Sequence, residues 1–447
     1  TKILQNRNKR LAEPQQTSCR TAMGNYTTPM GKSIIRRNSA DLAQEILSDT
    51  PVLTVSGARQ VGKTTLVSEL IKNRPARAVN LDDSATLAAA QGDPDAFVRQ
   101  YPLGTLAIDE IQRAPELFRA IKGALEEDRR PGRFIITGSS NLSTLKGAEE
   151  SLAGRAETLY LRGFSQGERL SFMEDFARFA WNLTNTSSLP EVPHLSRSEY
   201  FTLLTTSAFP EIVNTSRRRQ ERWIDAYAER VLSKDASELF GIQHPDRLTK
   251  LLNLIARSGT SEFVAAHVAR ELDLPERSLP SYLEALKSVF LVDALPAWGR
   301  NLRKRAISKP KVFAQDPGLA AVLAGVDSRA LESQTLSSLC GGLMESFVAT
   351  ELLKQRTWST KTFTLSHFRT STGQEVDLIL EDRQQSIIGI EVKAAMSISQ
   401  KDFKGLSFLR EQIGDQFQAG IVLHAGKQIL PMGERLWAMP ISTLWSV

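Results

Sequence analysis

The stretch "SGARQVGKTT", residues 56–65, follows the apolar run Val52–Val55 and holds two glycines five positions apart, then a lysine and two threonines. From Gly57 to Thr64 it fits the pattern G-x-x-x-x-G-K-[ST] at every fixed position. Glycines let the backbone turn its N–H groups inward around an anion, and the dipole of the following helix adds positive potential there. The stretch therefore predicts a phosphate-binding loop, and a glycine-rich turn with a solvated lysine is the disfavoured alternative.

The ligand expected at this loop is ATP with Mg²⁺. Lys63 would reach the β- and γ-phosphates, and the hydroxyl group of Thr64 would bind the metal ion. The other loop residues expected to bind the nucleotide are Gly57, Ala58, Arg59, Gln60, Val61, Gly62 and Thr65.

An acidic pair follows the apolar stretch "TLAI" at residues 105–108. Asp109 ends this predicted strand, where a carboxylate would hold Mg²⁺, and Glu110 beside it would polarise an attacking water. The adjacent carboxylates favour ATP hydrolysis over a nucleotide kinase, for which the chain also shows no evident acceptor lid.

Polar residues follow the next predicted strand, "RFIITG" at 133–138. Ser139, Ser140 and Asn141 would sense the γ-phosphate if this strand lies between the loop strand and the strand of the acidic pair, and we expect Asn141 to bind nucleotide. Arg155 is a candidate arginine finger, in its own subunit or in a neighbouring one. A plain surface arginine is the more common role of such a residue.

Strands and helices alternate through the first part of the chain, which is typical of a parallel sheet with helices on both faces. We expect an α/β P-loop NTPase core at 33–180 and a linker or loop at 181–199. The predicted strands of the core are 52–56, 76–83, 105–109, 133–138 and 157–163.

Two further regions follow. Residues 200–330 show helical spacing with one candidate strand, which suits a winged-helix-like module, although most such helical groups only pack or dimerise. The basic stretch Arg300–Lys311 is expected to be solvated. Residues 331–447 begin with a helix and indicate an α+β domain with a mixed sheet. Its predicted strands are 363–369, 375–381, 386–395 and 419–425.

A second group of charged residues lies in this last region. Glu391 and Lys393, in "IEVKAA", are two positions apart on a predicted strand and therefore share a face, and Asp377 lies on the strand before. If the strands are neighbours, Asp377 and Glu391 would bind Mg²⁺ and Lys393 would stabilise the attacking water or the scissile phosphate, as in metal-dependent phosphodiesterases. Glu345 could complete the group. The alternative is an edge strand with solvated charges.

The net charge of +6 is unevenly distributed over the 447 residues. Residues 1–38 hold eight basic residues and one acidic residue, whereas the remainder holds 48 basic and 49 acidic ones. We expect 1–32 to be a disordered basic tail, with Met23 and Met30 as candidate start residues. Two cysteines and the lack of a long apolar run predict a cytoplasmic protein without a membrane span.

The quoted motifs carry a family resemblance. Together with "NLDD", "DPDAF", "LAIDEIQRAPELF", "IITGSSN" and "SLAGRAETLYLRGFSQGE", the loop resembles bacterial and archaeal AAA-like ATPases that are usually fused to a C-terminal domain of unknown function. The stretches "DPGLAAVL", "GGLMESFVATEL", "EVDLIL" and "IEVKAA" resemble that domain, except that Pro317 stands where a threonine is expected. The resemblance implies a nucleotide-gated switch and a C-terminal domain related to the restriction-endonuclease-like fold.

The sequence leaves two functions open. The first is an ATPase whose nucleotide state gates a nuclease-like C-terminal domain acting on DNA or RNA. The second is a regulatory ATPase whose C-terminal domain is catalytically inactive and binds a protein or DNA partner. Either function is compatible with an oligomer, and the substrate or partner does not follow from the sequence.

Overall fold

The structure is a computed structural model, and it describes residues 34–142, 151–183, 189–242, 244–299 and 309–447. The predicted basic tail and residues 300–308 of the basic stretch lie outside these ranges. Within them, no helix is long and apolar enough to cross a membrane.

The first sheet has five strands, all parallel. They are β1 (Val52–Ser56), β2 (Ala76–Asn80), β3 (Thr105–Asp109), β4 (Phe134–Gly138) and β5 (Ala156–Tyr160). Their order across the sheet is β2-β3-β4-β1-β5. Strand β4, which is followed by the polar residues 139–141, therefore lies between β1, which precedes the glycine-rich loop, and β3, which leads into the acidic pair.

Helices cover both faces of this sheet because alternate residues of each strand point to opposite sides. Leu53 of β1 packs in one apolar core, whereas Val52 packs in another. The first core includes side chains of α1 (Ala40–Asp49) and α2 (Lys63–Ile71). The second includes α3 (Ser84–Gly92), α4 (Pro94–Arg99) and α5 (Leu117–Glu127).

The middle of the chain is mainly helical. Two short helices, α6 (Gln166–Arg169) and α7 (Phe176–Trp181), still belong to the ATPase-like part. The middle region then contains α8 (Arg197–Thr205), α9 (Arg217–Arg230), a π-helical turn (Val231–Ala236), α10 (Ser237–Phe240), α11 (Pro245–Ser258), α12 (Ala265–Glu271), α13 (Leu279–Ser288) and α14 (Pro317–Ala324). Pro317 occupies the first position of α14, where a missing N–H costs nothing. Asp316 caps this helix by accepting the N–H of Leu319 at 2.7 Å.

A small antiparallel sheet accompanies these helices. It consists of β6 (Ser261–Glu262), β7 (Val292–Leu295) and β8 (Lys311–Ala314), in the order β6-β8-β7. The central strand β8 pairs with both neighbours, and Lys311 is opposite Glu262 on one side and Leu295 on the other. The backbone of Lys311 is therefore held from both sides.

The last region is built on a six-stranded mixed sheet. It contains α15 (Ser337–Gln355), β9 (Phe363–Arg369), β10 (Glu375–Asp382), β11 (Ile387–Lys393), α16 (Lys404–Ile413), β12 (Phe417–His424), β13 (Leu430–Gly433) and β14 (Leu436–Pro440). The order is β13-β14-β12-β11-β10-β9. Strand β10 is antiparallel to β9 and β11, whereas β12 is parallel to β11 and β14.

Helix α15 connects the regions because it is buried along most of its length. Glu351 accepts the N–H of Gln166 at 2.9 Å, and Gln355 accepts that of Phe176 at 2.9 Å. Near its start, the carbonyl group of Gly342 accepts the N–H of Thr260 at 3.3 Å. One helix thus contacts both the ATPase-like part and the middle part of the chain.

The prediction of an α/β fold with a parallel sheet, helices on both faces and a separate mixed sheet is confirmed. The prediction missed β13 and β14, and it anticipated only one strand in the middle region. Strand β13 is short, largely exposed and interrupted by Pro431, so its pattern is weak.

Candidate functional site

The glycine-rich loop lies between the carboxyl end of β1 and the start of α2. A Cβ atom at Gly57 would lie 2.1 Å from the carbonyl oxygen of Leu161, and Gly62 adopts a φ of +95°. Both positions therefore require glycine. Ala58 and Val61 are buried, Gln60 is exposed, and Thr65 is exposed on the first turn of α2.

Lys63 is buried inside the loop, with 5% of its surface exposed. Its Nζ donates hydrogen bonds to the carbonyl oxygens of Gly57 and Ala58, both at 3.0 Å. Burial lowers the pKa of Lys63, and the nearby carboxylates of Glu110 and Asp109 offset part of that effect. The ammonium group is thus held by uncharged acceptors, and its positive charge is available to an anion.

Thr64 and Asp109 meet at the mouth of the loop. The hydroxyl group of Thr64 donates to Oδ2 of Asp109 at 2.8 Å, and Thr137 donates to the other carboxylate oxygen. Hydroxyl and carboxylate oxygens are the ligand types that Mg²⁺ prefers, together with waters and phosphate oxygens. This donor set therefore fits Mg²⁺, as the sequence predicts.

Glu110 is partly exposed, and two polar side chains hold its carboxylate. Ser139 donates to its Oε2 at 2.9 Å, and the side-chain amide of Gln112 donates to the same oxygen. The backbone of Glu110 has a φ of +59°, an uncommon value for a residue with a side chain. Such outliers cluster at functional sites, where surrounding contacts hold them in place.

The polar residues after β4 divide their contacts. Ser139 contacts Glu110, whereas the backbone N–H of Asn141 donates to the carbonyl oxygen of Ser288 in α13 at 2.8 Å. Ser139 thus contacts the acidic pair, and the nucleotide-binding role expected of Asn141 stays a prediction. Ser140 contributes its carbonyl oxygen, which accepts the hydroxyl group of Ser56 at 3.1 Å.

Arg155 lies near the end of the sheet away from the loop, and the finger roles considered for it, in its own subunit or in a neighbouring one, stay predictions. It immediately precedes β5, whose first residue pairs with Val52 at the start of β1. The loop follows the opposite end of β1, about 13 Å further along the strand. The side chain of Arg155 instead donates to the carbonyl oxygen of Ala153 at 3.4 Å.

The middle region contacts the loop directly. Arg59 forms an ion pair with Asp235 of the π-helical turn, in which Nη2 lies 2.9 Å from Oδ1. The hydroxyl group of Tyr227 in α9 donates to the carbonyl oxygen of Arg59 at 3.3 Å. From the other side, buried Arg37 donates to the carbonyl oxygen of Val61 at 3.3 Å.

These contacts were not predicted from the sequence, because Asp235 lies 176 positions after Arg59. For the contact of Arg37, the sequence offers one local indication: the basic residues 36 and 37 lie directly before a predicted helix that leads into β1. Arg37 also forms an ion pair with Glu168 at 3.0 Å, which explains its burial.

In the last region, four carboxylates form what we term the acidic cluster: Glu345 of α15, Glu375 and Asp377 of β10, and Glu391 of β11. Asp377 accepts the backbone N–H of Val392 at 2.9 Å, because β10 and β11 are neighbours. Lys393 lies 2.9 Å from Glu391. The structure thus brings together the residues that the sequence singled out.

The acidic cluster also contains a lysine that the sequence placed in a solvated stretch. Lys311 of β8 is 3% exposed, and its Nζ lies 2.7 Å from Glu345, 2.8 Å from Glu375 and 3.6 Å from Asp377. The expectation that Arg300–Lys311 is solvated is therefore wrong at its last residue, because Lys311 begins a paired strand.

Burial and neighbouring charges shift the pKa values of several groups in the acidic cluster. Burial and the neighbouring Asp377 raise the pKa of Glu345 to about 8. The same two causes raise the pKa of Glu391 well above its usual value. Burial alone would lower the pKa of Lys311, but Glu345, Asp377 and Glu375 together raise it. These shifts follow from the burial of the cluster and from the close approach of its charged groups.

This arrangement does not fit the magnesium site that the nuclease-like interpretation requires. Among the described residues, no group of three or more His, Cys, Asp or Glu side chains is placed to hold a metal ion. An ammonium group already lies within 3.6 Å of the Asp377 carboxylate. A divalent ion on the same oxygens would be repelled by that charge.

Comparison with known proteins divides the chain into three parts. Residues 49–170 match the model described as AAA domain, 197–330 match Domain of unknown function (DUF8612), and 340–444 match Domain of unknown function (DUF4143). Together with the loop geometry, the first match shows that the chain carries a P-loop ATPase domain of the AAA type.

Two relatives that match most of the chain come from mycobacteria. Uncharacterized protein Mb2031c of Mycobacterium bovis and Uncharacterized protein Rv2008c of Mycobacterium tuberculosis are each 28% identical over 412 residues, which is 91% of this chain and 84% of each relative. A solved structure, the Walker-type ATPase PABY2304 of Pyrococcus abyssi, is 16% identical, with a TM-score of 0.41, over 65% of this chain and 96% of that one.

Proposed function

We propose that this chain is a magnesium-dependent ATPase that acts as a nucleotide-gated switch. The observation that carries the proposal is the joint arrangement of Lys63 in the loop, Thr64 against Asp109, and Glu110 beside Ser139. Each residue lies at the same edge of the parallel sheet, where ligands of open α/β sheets bind.

In the proposed reaction, Lys63 binds the terminal phosphates and the backbone N–H groups of the loop surround them. Thr64 and Asp109 would hold Mg²⁺, which supplies neutralisation of phosphate charge when bound. Glu110 would accept a proton from the attacking water. Its Oε2 accepts hydrogen bonds from Ser139 and Gln112, which orient the carboxylate, so the proton would be accepted at Oε1.

ATP turnover of defined variants tests this assignment. Lys63→Ala should lose nucleotide binding, whereas Glu110→Gln should bind ATP but hydrolyse it about 100-fold more slowly. Lys72→Ala is a matched control, because Lys72 lies just after α2 and is largely exposed. Full turnover by Lys63→Ala or by Glu110→Gln would refute the roles given to these residues.

The middle region is the proposed sensor of nucleotide state. Asp235 and Tyr227 contact the backbone or side chain of Arg59, so a change at the loop is transmitted to α9 and the π-helical turn. The order of helices and the β6-β8-β7 sheet support a winged-helix-like module in this region. We propose that the module relays the nucleotide state to the last region.

For the last region, the order α15, β9, β10, β11, α16, β12 supports the nuclease-like interpretation of the fold. The burial of Lys311 in the acidic cluster favours the second hypothesis over active cleavage. We therefore favour a regulatory ATPase whose C-terminal part binds a protein or DNA partner. ATP-dependent partner binding without metal-dependent nicking of DNA or RNA is the expected result, and nicking lost in Asp377→Asn would restore the nuclease hypothesis.

A further inference from the structure

Lys311 occupies the centre of the acidic cluster although it belongs to another region of the chain. Its ammonium group lies within 2.8 Å of Glu345 and Glu375, and those carboxylates come from α15 and β10. Lys311 itself begins β8, the central strand of the small sheet. The contact therefore joins two regions through a nearly buried ammonium group, which faces a nearly buried Glu345 and a partly exposed Glu375.

Strand pairing fixes the backbone of Lys311, and its side chain carries the ammonium group from there into the acidic cluster. Strand β8 is paired on both sides, and the nearby carbonyl oxygen of Lys309 contacts Nε2 of His367 in β9 at 3.1 Å. Ala297, just after β7, forms a parallel bridge with His367. The small sheet and the large sheet are thus joined beside the acidic cluster.

The oxygens of Asp377 are engaged on both sides. Oδ2 accepts the N–H of Val392 at 2.9 Å, and Oδ1 faces the ammonium group of Lys311 at 3.6 Å. Glu391, the other carboxylate expected to bind metal, pairs with Lys393. A divalent ion would need these oxygens together with several waters in near-octahedral geometry, and Lys311 excludes that arrangement.

We infer that the ammonium group of Lys311 is the resident cation of the acidic cluster. The face of the C-terminal sheet that carries the cluster therefore binds Lys311 of strand β8 in place of a divalent metal ion. The cluster is then a structural contact between the middle and last regions. This inference does not depend on ATP hydrolysis at the loop, because it concerns a different group of residues.

Manganese binding by the full-length, nucleotide-free protein tests the inference. An Asp109→Asn background removes the metal ligand at the loop, and Mn²⁺ is followed by its electron paramagnetic resonance signal. The background protein should bind no Mn²⁺ at the acidic cluster, Lys311→Ala should gain one Mn²⁺ per chain, and adding Asp377→Asn should remove it again.

Lys354→Ala is the matched control, since Lys354 is also buried and pairs with Glu351 at 2.6 Å outside the cluster. It should gain no Mn²⁺. The inference is overturned if the background protein already binds one Mn²⁺ that Asp377→Asn removes. A folded Lys311→Ala protein that gains none would also overturn it.

A thermal measurement covers the case in which Lys311→Ala folds poorly. Lys311→Arg keeps a cation in the cluster and should melt close to the background protein without binding Mn²⁺. Lys311→Ala should melt at a lower temperature, and millimolar Mn²⁺ should restore part of the difference. Equal melting of Lys311→Ala and the background protein without metal, or a loss that Mn²⁺ does not restore, would contradict the resident-cation role.

Discussion

Lys63 in the glycine-rich loop and Lys311 in the acidic cluster are both buried lysines, but they face opposite kinds of partner. The ammonium group of Lys63 is held by two uncharged carbonyl oxygens, and its pKa is lowered. The ammonium group of Lys311 contacts three carboxyl groups, which raise the pKa of this lysine. The first charge is available to a phosphate, whereas the second is already neutralised within the protein.

Because their partners differ, Lys63 is expected to matter for ligand binding and Lys311 for stability. A buried charge without a charged partner is costly in the empty protein, and binding an anion recovers that cost. A buried charge with matched partners contributes to the folded state, and removing it leaves the partners uncompensated. We therefore expect substitutions at the two lysines to affect different measurements.

The largest expected effect on stability is at Lys311. Lys311→Ala should lower the free energy of unfolding by about 3–5 kcal/mol, because Glu375 and Asp377 lose their shared cation and Glu345 loses its hydrogen-bond partner. Lys63→Ala should change it by less, because the loss of two hydrogen bonds to carbonyl oxygens is offset by the removal of a buried charge that has no carboxylate partner. Urea unfolding of the nucleotide-free proteins measures both, and a Lys311→Ala protein as stable as the wild type would contradict the comparison.

The next effect is the pH dependence of stability. Glu345 has a pKa of about 8 in the folded protein, raised first by burial and then by Asp377. Because this carboxyl group binds its proton more tightly when folded, its contribution is complete below about pH 4 and is lost as the pH rises toward 8. In that window the free energy of unfolding of the wild type should fall by up to ~1.4 kcal/mol per pH unit, and Glu345→Gln should abolish this fall.

Unfolding measured at several pH values between 5 and 8 checks this expectation. Glu381→Gln is a suitable control, because Glu381 lies on the same strand β10 but outside the acidic cluster. Parallel pH profiles for the wild type and Glu345→Gln would show that Glu345 is ionised in the folded protein.

The contrast between the two lysines explains how far the sequence could predict this molecule. The loop, the acidic pair and the strands of the first sheet are local patterns, and their spacing alone predicts which sheet edge holds Lys63 and Asp109. The grouping of Asp377 with Glu391 was also predictable, because both lie on consecutive strands. Each of these inferences uses residues that are close in sequence or at the same end of adjacent strands.

Lys311 shows why the rest could not be predicted. It follows a run of basic residues, which favours a solvated interpretation, and its partner Glu345 lies 34 positions away in another region. The apolar residues 312–314 that follow it were the available sign of a buried strand. The same limit applies to Asp235, because a carboxylate on a helix gives no indication of the loop that it contacts.

The smallest effect concerns the contact between the loop and the middle region. Asp235 places a carboxylate near Lys63 and Glu110, where it pairs with Arg59. Asp235→Asn should tighten ATP binding about threefold, or ~0.7 kcal/mol, because one negative charge near the phosphates is removed. Asp225→Asn, on an exposed position of α9, is the control and should leave the affinity unchanged. Weaker binding by Asp235→Asn would instead indicate that the ion pair holds the loop in its binding conformation.

Calorimetric titration with ATP and Mg²⁺ tests the central claim most directly. We expect the wild type and Lys311→Arg to bind one nucleotide per chain, and we expect Lys63→Ala to lose at least about 100-fold in affinity, since its side chain supplies the positive charge at the loop. Undetectable binding by the wild type, or equal binding by Lys63→Ala, would contradict the account.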